Sequence, residues 1–356
     1  MAVDRRQFRN VLLVRTDRIG DVVLSLPMVA CLRSHLPEAR ISMLVREYTQ
    51  ELVQGYEGID EILTYDRQGS PKPLFGLLSE LRRHRFDLVV LAHPTFRLAL
   101  LVFLARIPVR VGSGYRWYSF LFNRRVFEHR RTAGKHEAEC NLSLLRSVGC
   151  PPSAAPAVAL VPSQSAETTA RKIKEELGLG DAEPTAVLHP GSGGSARDWS
   201  PQNFAALAKL LRAEGVRVVV TGIAQEANLV RRVVEGSGGA AIPLVGRLSL
   251  MELAAFIRTA ALFVSNSTGP LHIAAAVGVP VIAFYPPIRE CGPTRWGPLT
   301  EKKIVFVADS QACARCRGGA CQGNDCMDQI TVDQVFRAAR GLIASFSEQP
   351  TLRASL

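Results

Sequence analysis

The sequence predicts an α/β protein built from two doubly wound domains, and three observations support this fold class. Short apolar runs typical of buried strands alternate with helical patterns in both halves of the chain. A stretch rich in Pro and Ala over residues 151–165 indicates a linker between the halves. A length of 356 residues exceeds one typical core. We therefore expect domains at 1–160 and 161–356.

The first half has the rhythm of βαβ units, which implies a parallel sheet covered by helices on both faces. Its pattern predicts strands at 11–14, 41–45, 61–65 and 88–92 and helices at 21–35 and 74–85.

The second half repeats this rhythm after the linker, so we expect a ligand cleft between the carboxyl edges of two facing sheets. Its pattern predicts strands at 186–189, 217–221, 261–264 and 279–285 and helices at 201–214, 226–235, 251–259 and 332–346.

The charge and composition exclude some functional classes. Residues 1–150 hold 23 Lys and Arg against 15 Asp and Glu, a surplus of +8 out of the chain's +11. Such a surplus favours an acidic partner. No nucleic-acid module accompanies the charge, so nucleic acid is not expected. No apolar run reaches the ~20 residues of a membrane span, and no apolar signal region follows the N-terminus. We therefore expect a cytoplasmic protein.

Eight cysteines are present. Four are scattered and are expected to be reduced core residues. The other four form a C-x2-C-x4-C-x4-C cluster within residues 313–326, and four thiolates there could hold a structural zinc ion. Reduced or redox-paired thiols are the alternative. The clustered cysteines are Cys313, Cys316, Cys321 and Cys326, and the scattered ones are Cys31, Cys140, Cys150 and Cys291.

Three segments carry the chemistry, and each follows a predicted strand. RTDRIGD (15–21) has a single Gly, unlike a dinucleotide fingerprint, and ends on a carboxylate at a helix start. HPGSGGSARDW (189–199) is a glycine-rich turn with one arginine, suited to an anion. SNSTGPLHIAAA (265–276) directs helix-start amides outward from the strand's end. Together they predict a site for a phosphorylated ligand. No carboxylate pair near them suggests a catalytic metal.

The order and spacing of these segments resemble glycosyltransferase family 9, the lipopolysaccharide heptosyltransferases. The similarity rests on VLLVRTDRIGDVVLSLP (11–27), HPGSGGSARDWSPQNFAALA (189–208) and SNSTGPLHIAAAVGVPVIAFY (265–285). The resemblance implies a GT-B fold: an N-terminal acceptor-binding domain and a C-terminal domain for the nucleotide sugar, each Rossmann-like. It also implies transfer of heptose from ADP-L-glycero-D-manno-heptose to the lipopolysaccharide inner core.

Carried over by position, the resemblance assigns the catalytic base to Asp21, with Asp17 as its competitor. The family's phosphate-binding lysine corresponds to Arg197, and its Asp-Thr/Ser-Gly turn begins here with Ser267, which removes one negative charge. Arg15 and Arg18, close to Asp21, are candidate acceptor contacts. The donor-binding residues implied are Ser192, Arg197, Glu226, Thr268, Gly269 and His272.

An inverting, metal-independent transfer needs one base on the acceptor hydroxyl and positive potential on the departing diphosphate. The resemblance also implies a lipid-linked acceptor, hence peripheral contact with an anionic membrane at the inner face of the inner membrane. We expect the basic surplus to steer this acceptor, through Arg18, Arg116, Arg124 and Arg125.

Three alternatives stay open. The first is a family 9 transferase with another nucleotide sugar or a non-lipopolysaccharide acceptor. The second is a non-catalytic protein that binds nucleotide sugars. The third, a nucleotide-sugar epimerase, would need further carboxylates in the donor site, which the sequence does not offer.

Overall fold

A computed structural model of the chain describes residues 8–130, 134–180, 183–194, 197–309 and 326–347. The chain divides into two compact units, Met1–Val158 and Ala159–Leu356. The division falls inside the Pro- and Ala-rich stretch, where prolines interrupt both helical and strand periodicity.

The first unit contains a six-stranded parallel sheet with the strand order β3-β2-β1-β6-β7-β8. Strands β4 and β5 form a separate short antiparallel hairpin. Strand β1 lies in the middle, paired with β2 on one side and β6 on the other. The strands are β1 (Asn10–Val14), β2 (Arg40–Val45), β3 (Glu61–Thr64), β4 (Asp66–Arg67), β5 (Ser70–Pro71), β6 (Leu88–Leu91), β7 (Val109–Ser113) and β8 (Arg124–Val126).

The prediction of one continuous helix near the start of this unit is wrong. The pattern at 21–35 predicts a single helix, whereas the chain forms two with a turn at residues 24–26. Pro27 explains the break, because it has no N–H to bond to the preceding turn and its ring obstructs that turn's carbonyl. Pro27 instead begins the second helix. The helices of this unit are α1 (Ile19–Val23), α2 (Pro27–His35), α3 (Leu74–His84), α4 (Phe96–Leu104) and α5 (Glu137–Arg146).

The second unit has a six-stranded parallel sheet in the order β11-β10-β9-β12-β13-β14. Successive residues of β9 face opposite sides: Leu188 packs in one core cluster and Val187 in the other, both fully buried. The strands are β9 (Thr185–His189), β10 (Arg217–Gly222), β11 (Ala241–Val245), β12 (Leu262–Asn266), β13 (Val281–Tyr285) and β14 (Lys303–Val307).

Helices cover both faces of this second sheet. Helix α7 begins where Ser200 accepts a hydrogen bond from the Asn203 N–H, with Pro201 in its first turn. The helices are α6 (Gln164–Glu176), α7 (Pro201–Ala213), α8 (Ala227–Gly236), α9 (Leu250–Arg258), α10 (Gly269–Ala276), α11 (Pro293–Trp296) and α12 (Val332–Ser347). No helix in the described parts of the chain is both long and apolar enough to cross a bilayer.

Each sheet reverses its strand order at one point, and the predicted site segments follow the strands at these points. In the first unit the reversal lies between β1 and β6, and in the second between β9 and β12. Ligands of doubly wound sheets bind outside the carboxyl ends of the strands at such a reversal. Polar groups at that edge of each unit are therefore candidate ligand contacts.

Candidate active site

Arg15 organises the carboxyl edge of the first sheet. It follows β1 directly and is only 2% exposed. Its Nε donates to Asp17 Oδ1 at 2.7 Å, and its Nη2 donates to Asp21 Oδ1. Its Nη1 donates to Glu137 Oε1 at 3.2 Å and to Asn141 Oδ1 at 3.1 Å. One buried guanidinium therefore holds three carboxylates in fixed positions.

A second arginine and a buried amide complete this network. Arg130 Nη1 donates to the same Glu137 carboxylate and to Asn141 Oδ1. The Asn141 side chain in turn donates to the Leu24 carbonyl at 3.0 Å. Glu137 and Asn141 lie on α5, so this helix fixes the turn that follows Asp21 as well as the guanidinium that Asp21 contacts.

Asp21 has the properties of a group that exchanges protons near neutral pH. Its side chain is 14% exposed and lies in the first turn of α1. Burial raises the pKa of Asp21 to about 6 against the lowering effect of Arg15, and the Asp17 and Glu137 carboxylates add to the rise. A carboxylate with such a pKa, partly open to solvent, is suited to take a proton from a hydroxyl.

His93 is a residue of this edge that the sequence did not single out. It follows β6, on the other side of the reversal, and its Nδ1 lies 3.8 Å from Asp17 Oδ2. Burial lowers the pKa of His93 against the raising effect of Asp17. Tyr48 also contacts this segment, because its hydroxyl donates to the Asp17 carbonyl at 2.7 Å. Asp17 is thus bound to Arg15, with His93 and Tyr48 beside it.

The two predicted acceptor contacts differ in position. Arg18 is exposed at the start of α1 and is able to meet a ligand. Arg15 is buried and engaged with Asp17, Asp21, Glu137 and Asn141. Four hydrogen bonds to protein oxygens therefore hold Asp21 against Arg15, and the acceptor contact predicted for Arg15 stays a prediction.

The glycine-rich turn after β9 lies at the reversal of the second sheet. Gly193 and Gly194 have φ values of +57° and +72°, which side chains with a Cβ rarely adopt. Buried Ser192 hydrogen-bonds Asp198. Partial desolvation of its carboxyl group raises the pKa of Asp198, an otherwise exposed residue, against that hydrogen bond and with help from the charge of Glu226. Arg197 follows the turn and is half-buried.

Glu226 approaches this turn from the end of the neighbouring strand β10. Its Oε2 accepts a hydrogen bond from the Ile223 N–H at 3.0 Å and lies 3.9 Å from His189 Nε2. A Cβ on Gly191 would lie 1.9 Å from Glu226 Oε1, so a glycine is required there for the carboxylate to sit where it does. Burial lowers the pKa of His189 to about 4, which makes it neutral.

The turn after β12 lies beside the glycine-rich turn because Asn266 joins the two. Its Nδ2 donates to the Pro190 carbonyl and its Oδ1 accepts from the Trp199 N–H, both at 2.7 Å. Thr268 is the N-cap of α10, and Gly269 is its first residue. The free amides of this helix start and the positive end of its dipole lie at the sheet reversal, where an anion is stabilised.

Two residues of this segment are more enclosed than the sequence suggests. Ser267 hydrogen-bonds the buried Tyr285, whose hydroxyl donates to the Trp296 carbonyl at 2.6 Å. Because the Tyr285 hydroxyl proton is used in the hydrogen bond to Trp296, the Ser267 hydroxyl donates to the Tyr285 oxygen. His272 is 5% exposed on α10, one turn into the helix.

The cysteine cluster is only partly described. Cys313, Cys316 and Cys321 lie outside the described residues, while Cys326 is buried in the second core. Within the described ranges no group of three or more His, Cys, Asp or Glu side chains is arranged to hold a metal ion. The zinc prediction therefore stays a prediction.

Comparison with known proteins identifies the family. The family model described as glycosyltransferase family 9 (heptosyltransferase) matches residues 74–326. Lipopolysaccharide heptosyltransferase 3 of Escherichia coli K12 is 27% identical over 339 residues, covering 91% of this chain and 95% of the relative.

Solved structures show the same fold. A glycosyl transferase family 9 protein from Veillonella parvula has a TM-score of 0.84 at 23% identity, covering 96% of this chain and 99% of that one. Escherichia coli heptosyltransferase WaaC with ADP has a TM-score of 0.68 at 21% identity, covering 94% and 99%. The two Rossmann-like units are those of the GT-B fold. Since the family model matches more than half of its length, the chain belongs to glycosyltransferase family 9 and is a glycosyltransferase.

Proposed function

We propose that this protein transfers heptose, with inversion and without a metal ion, from ADP-L-glycero-D-manno-heptose to the lipopolysaccharide inner core. The observation that carries the proposal is Asp21, a carboxylate whose pKa burial raises to about 6 at the strand reversal of the first sheet. The choice of sugar and acceptor is supported by relatives that are named lipopolysaccharide heptosyltransferases.

In the proposed reaction Asp21 takes the proton from an acceptor hydroxyl as its oxygen bonds to the anomeric carbon of the donor. The bond between that carbon and the diphosphate breaks at the same time, and ADP leaves with the bonding electrons. Attack opposite the leaving group inverts the anomeric configuration. Arg15 contributes by holding the Asp21 carboxylate in place.

The second unit supplies the donor site in this proposal. The developing charge on the diphosphate is stabilised by Arg197 and by the amides at Thr268 and Gly269, and a metal ion is then not needed. Ser192 orders the glycine-rich turn through Asp198. Glu226 accepts a hydrogen bond from a ribose hydroxyl. His272 lies on α10 and belongs to the same donor site. The complex of WaaC with ADP supports adenosine diphosphate as the nucleotide.

The acceptor of this proposal is linked to lipid, so the protein works as a peripheral protein at the inner face of the inner membrane. Exposed Arg18, three residues before Asp21, is positioned to meet an acidic group of the saccharide. Nucleic acid has no part in this function.

A different nucleotide sugar is the second candidate, and Ser267 is the observation that favours it. The family's acid is replaced by a hydroxyl that hydrogen-bonds Tyr285, so the charge beside the diphosphate turn differs. A change of donor preference would follow from that difference.

The proposal is tested by the melting temperature of the protein with a panel of nucleotide sugars in buffer containing EDTA. A ligand that binds only the folded state raises the melting temperature. We expect ADP-heptose and ADP to stabilise the protein and UDP- and GDP-sugars to do so much less. A larger effect from another sugar would favour the second candidate. Stabilisation that requires added Mg²⁺ would argue against the metal-free site.

Arg197→Ala should separate phosphate binding from nucleoside binding. A guanidinium that contacts only phosphate contributes to the affinity for ADP-heptose and ADP and not to that for adenosine. We expect calorimetry to show about tenfold weaker binding of both diphosphates, with adenosine unchanged. Equal losses for all three ligands would assign Arg197 to the fold or to the nucleoside pocket.

Gly191→Ala should weaken the binding of adenosine as well as that of ADP, unlike Arg197→Ala. The added Cβ displaces the Glu226 carboxylate, which is the mobile end of its side chain, so the fold is kept while the ribose contact is lost. Adenosine and ADP should therefore weaken together, and Glu226→Gln should add little to Gly191→Ala. Gly180→Ala, where a Cβ meets nothing within 4 Å, is the matched control. Unchanged adenosine affinity in Gly191→Ala would remove Glu226 from the ribose.

A further inference from the structure

Helix α4 presents an apolar stripe to solvent. Phe96, Leu100 and Phe103 recur at the i, i+4, i+7 spacing that lines one side of a helix. Phe96 is 43% exposed and Phe103 44% exposed, and Leu100 between them is half-buried. The opposite side of the helix, with Leu98, packs in the core of the first unit. The helix is therefore apolar on both sides, and Phe96 and Phe103 on the second side stay largely exposed.

Two aromatic side chains from the β7–β8 connection extend this stripe. Trp117 is 73% exposed and stacks on Phe96, with ring centroids 4.8 Å apart. Phe120, which is 63% exposed, lies on the 3₁₀ turn Ser119–Leu121 that packs against α4. We call Phe96, Leu100, Phe103, Trp117 and Phe120 the α4 face. Four aromatic side chains that are more than 40% exposed, on one helix and on the connection that packs against it, indicate a binding surface.

Arginines outnumber acidic residues in the segment that carries the α4 face. Residues 82–125 contain nine arginines and one acidic residue, Asp87. The Asp87 carboxylate accepts hydrogen bonds from the Arg9 and Asn10 N–H groups, so it is turned to the backbone. Arg116, Arg124 and Arg125 are exposed on the same β7–β8 segment. The segment therefore combines exposed apolar side chains with exposed arginines.

This combination selects among possible partners. A second copy of the chain would bring the same arginines against each other, which is unfavourable. An acidic polymer would use the charge and leave the aromatic rings exposed to water. A bilayer with anionic headgroups uses both: tryptophan and phenylalanine enter the interface between headgroups and acyl chains, and arginines meet the headgroups.

We propose that the α4 face is a membrane-binding surface that inserts its aromatic side chains into the interface of an anionic bilayer. The inference deepens the proposed function, because it names the surface through which the enzyme reaches a lipid-linked acceptor. The residues of the α4 face are not those of the transfer reaction. The membrane-binding proposal can therefore fail while the proposed reaction is correct, and the proposed reaction can fail while membrane binding is correct.

The experiment is co-sedimentation of the full chain with vesicles of phosphatidylglycerol and phosphatidylethanolamine, without donor or acceptor. The protein should sediment with these vesicles and not with phosphatidylcholine alone, and added salt should release it. Phe103→Ser combined with Phe120→Ser should weaken binding roughly tenfold, because two apolar side chains no longer leave water. Arg124→Glu combined with Arg125→Glu should weaken it and flatten the salt dependence.

Matched controls come from the second unit. Val161→Ser removes an apolar side chain that is 76% exposed, and Arg171→Glu reverses an exposed charge on α6. Neither should change vesicle binding. Tryptophan emission supplies a direct readout, since Trp199 is fully buried while Trp117 is exposed. Vesicles should shift the emission to shorter wavelength in the wild type and not in Trp117→Phe, which should still sediment with them.

Three results would overturn the inference. The first is equal vesicle binding by the wild type and the double phenylalanine variant. The second is equal binding to anionic and neutral vesicles. The third is a Trp117 emission that ignores vesicles and instead follows protein concentration together with dimer formation, which would assign the α4 face to a second copy of the chain.

Discussion

Asp21→Asn is expected to reduce kcat by about 10²- to 10⁴-fold, the usual contribution of a general base, and to leave ADP-heptose affinity largely unchanged. The substitution keeps the shape of the side chain and removes its ability to take a proton. In the wild type, kcat/KM should fall as pH drops below the Asp21 pKa of about 6, because the base must be ionised. The residual kcat/KM of Asp21→Asn should not fall in this way as the pH drops below about 6.

The stability of Asp21→Asn separates lost catalysis from lost folding. The folded pKa of Asp21 lies above its ordinary value, so the protonated side chain is the form that favours folding, and this contribution is lost as pH rises through about 6. At pH 7.5 the asparagine variant should melt at or above the wild-type temperature. Asp17→Asn is the matched control, since Asp17 also contacts Arg15. Wild-type turnover in Asp21→Asn with an inactive Asp17→Asn would make Asp17 the base.

Arg15→Met is expected to lower the free energy of unfolding by about 3–5 kcal/mol at pH 7.5, as is typical when one partner of a buried ion network is removed. The methionine leaves the Asp21 carboxylate without its guanidinium partner and leaves the buried Glu137 with Arg130 alone. Because Arg15 lowers the pKa of Asp21 in the wild type, that pKa should then rise, and the protonated form is favoured in the folded state. The deficit should consequently shrink as pH falls, which urea unfolding at pH 7.5 and pH 5 measures.

Arg247→Met is the control for the stability effect, because it breaks an ion pair with Glu176 in which both side chains are more than 40% exposed. An exposed pair contributes about 0–1 kcal/mol. Arg15→Lys keeps the charge but cannot reach all the oxygens that the guanidinium bridges, so its stability should lie between those of Arg15→Met and the wild type. A loss for Arg15→Met no larger than for Arg247→Met would contradict a structural role for the network.

The fold could be predicted from the sequence to a large extent, because buried parallel strands appear as apolar runs such as Val11–Val14 and Ala186–His189. The continuous helix predicted over 21–35 was wrong, since apolar periodicity runs through the break and only Pro27 signals it. Helix α4 has apolar residues on all sides, and periodicity could not indicate which side the core would leave exposed.

The candidate site could be predicted where its residues adjoin a strand end and could not where they come from distant parts of the chain. Asp21 and Thr268 follow strands, and their motifs are local. Glu137 lies 122 residues beyond Arg15, so nothing near Arg15 in sequence indicates that it is buried among carboxylates. His93 follows a strand too, and Thr95 caps the next helix, but the segment has no glycine and no acidic residue to mark it. Its place beside Asp17 depends on the strand order, which pairs β1 with β6.

Product analysis tests the central claim most directly. Purified protein is incubated with ADP-L-glycero-D-manno-heptose and a lipopolysaccharide core acceptor that lacks heptose, with EDTA present. The account predicts one ADP released for each glycoside formed, with the anomeric configuration opposite to that of the donor, and product formation about 10²- to 10⁴-fold slower with Asp21→Asn. A product that retains the donor's configuration, or ADP release without glycoside, would contradict it.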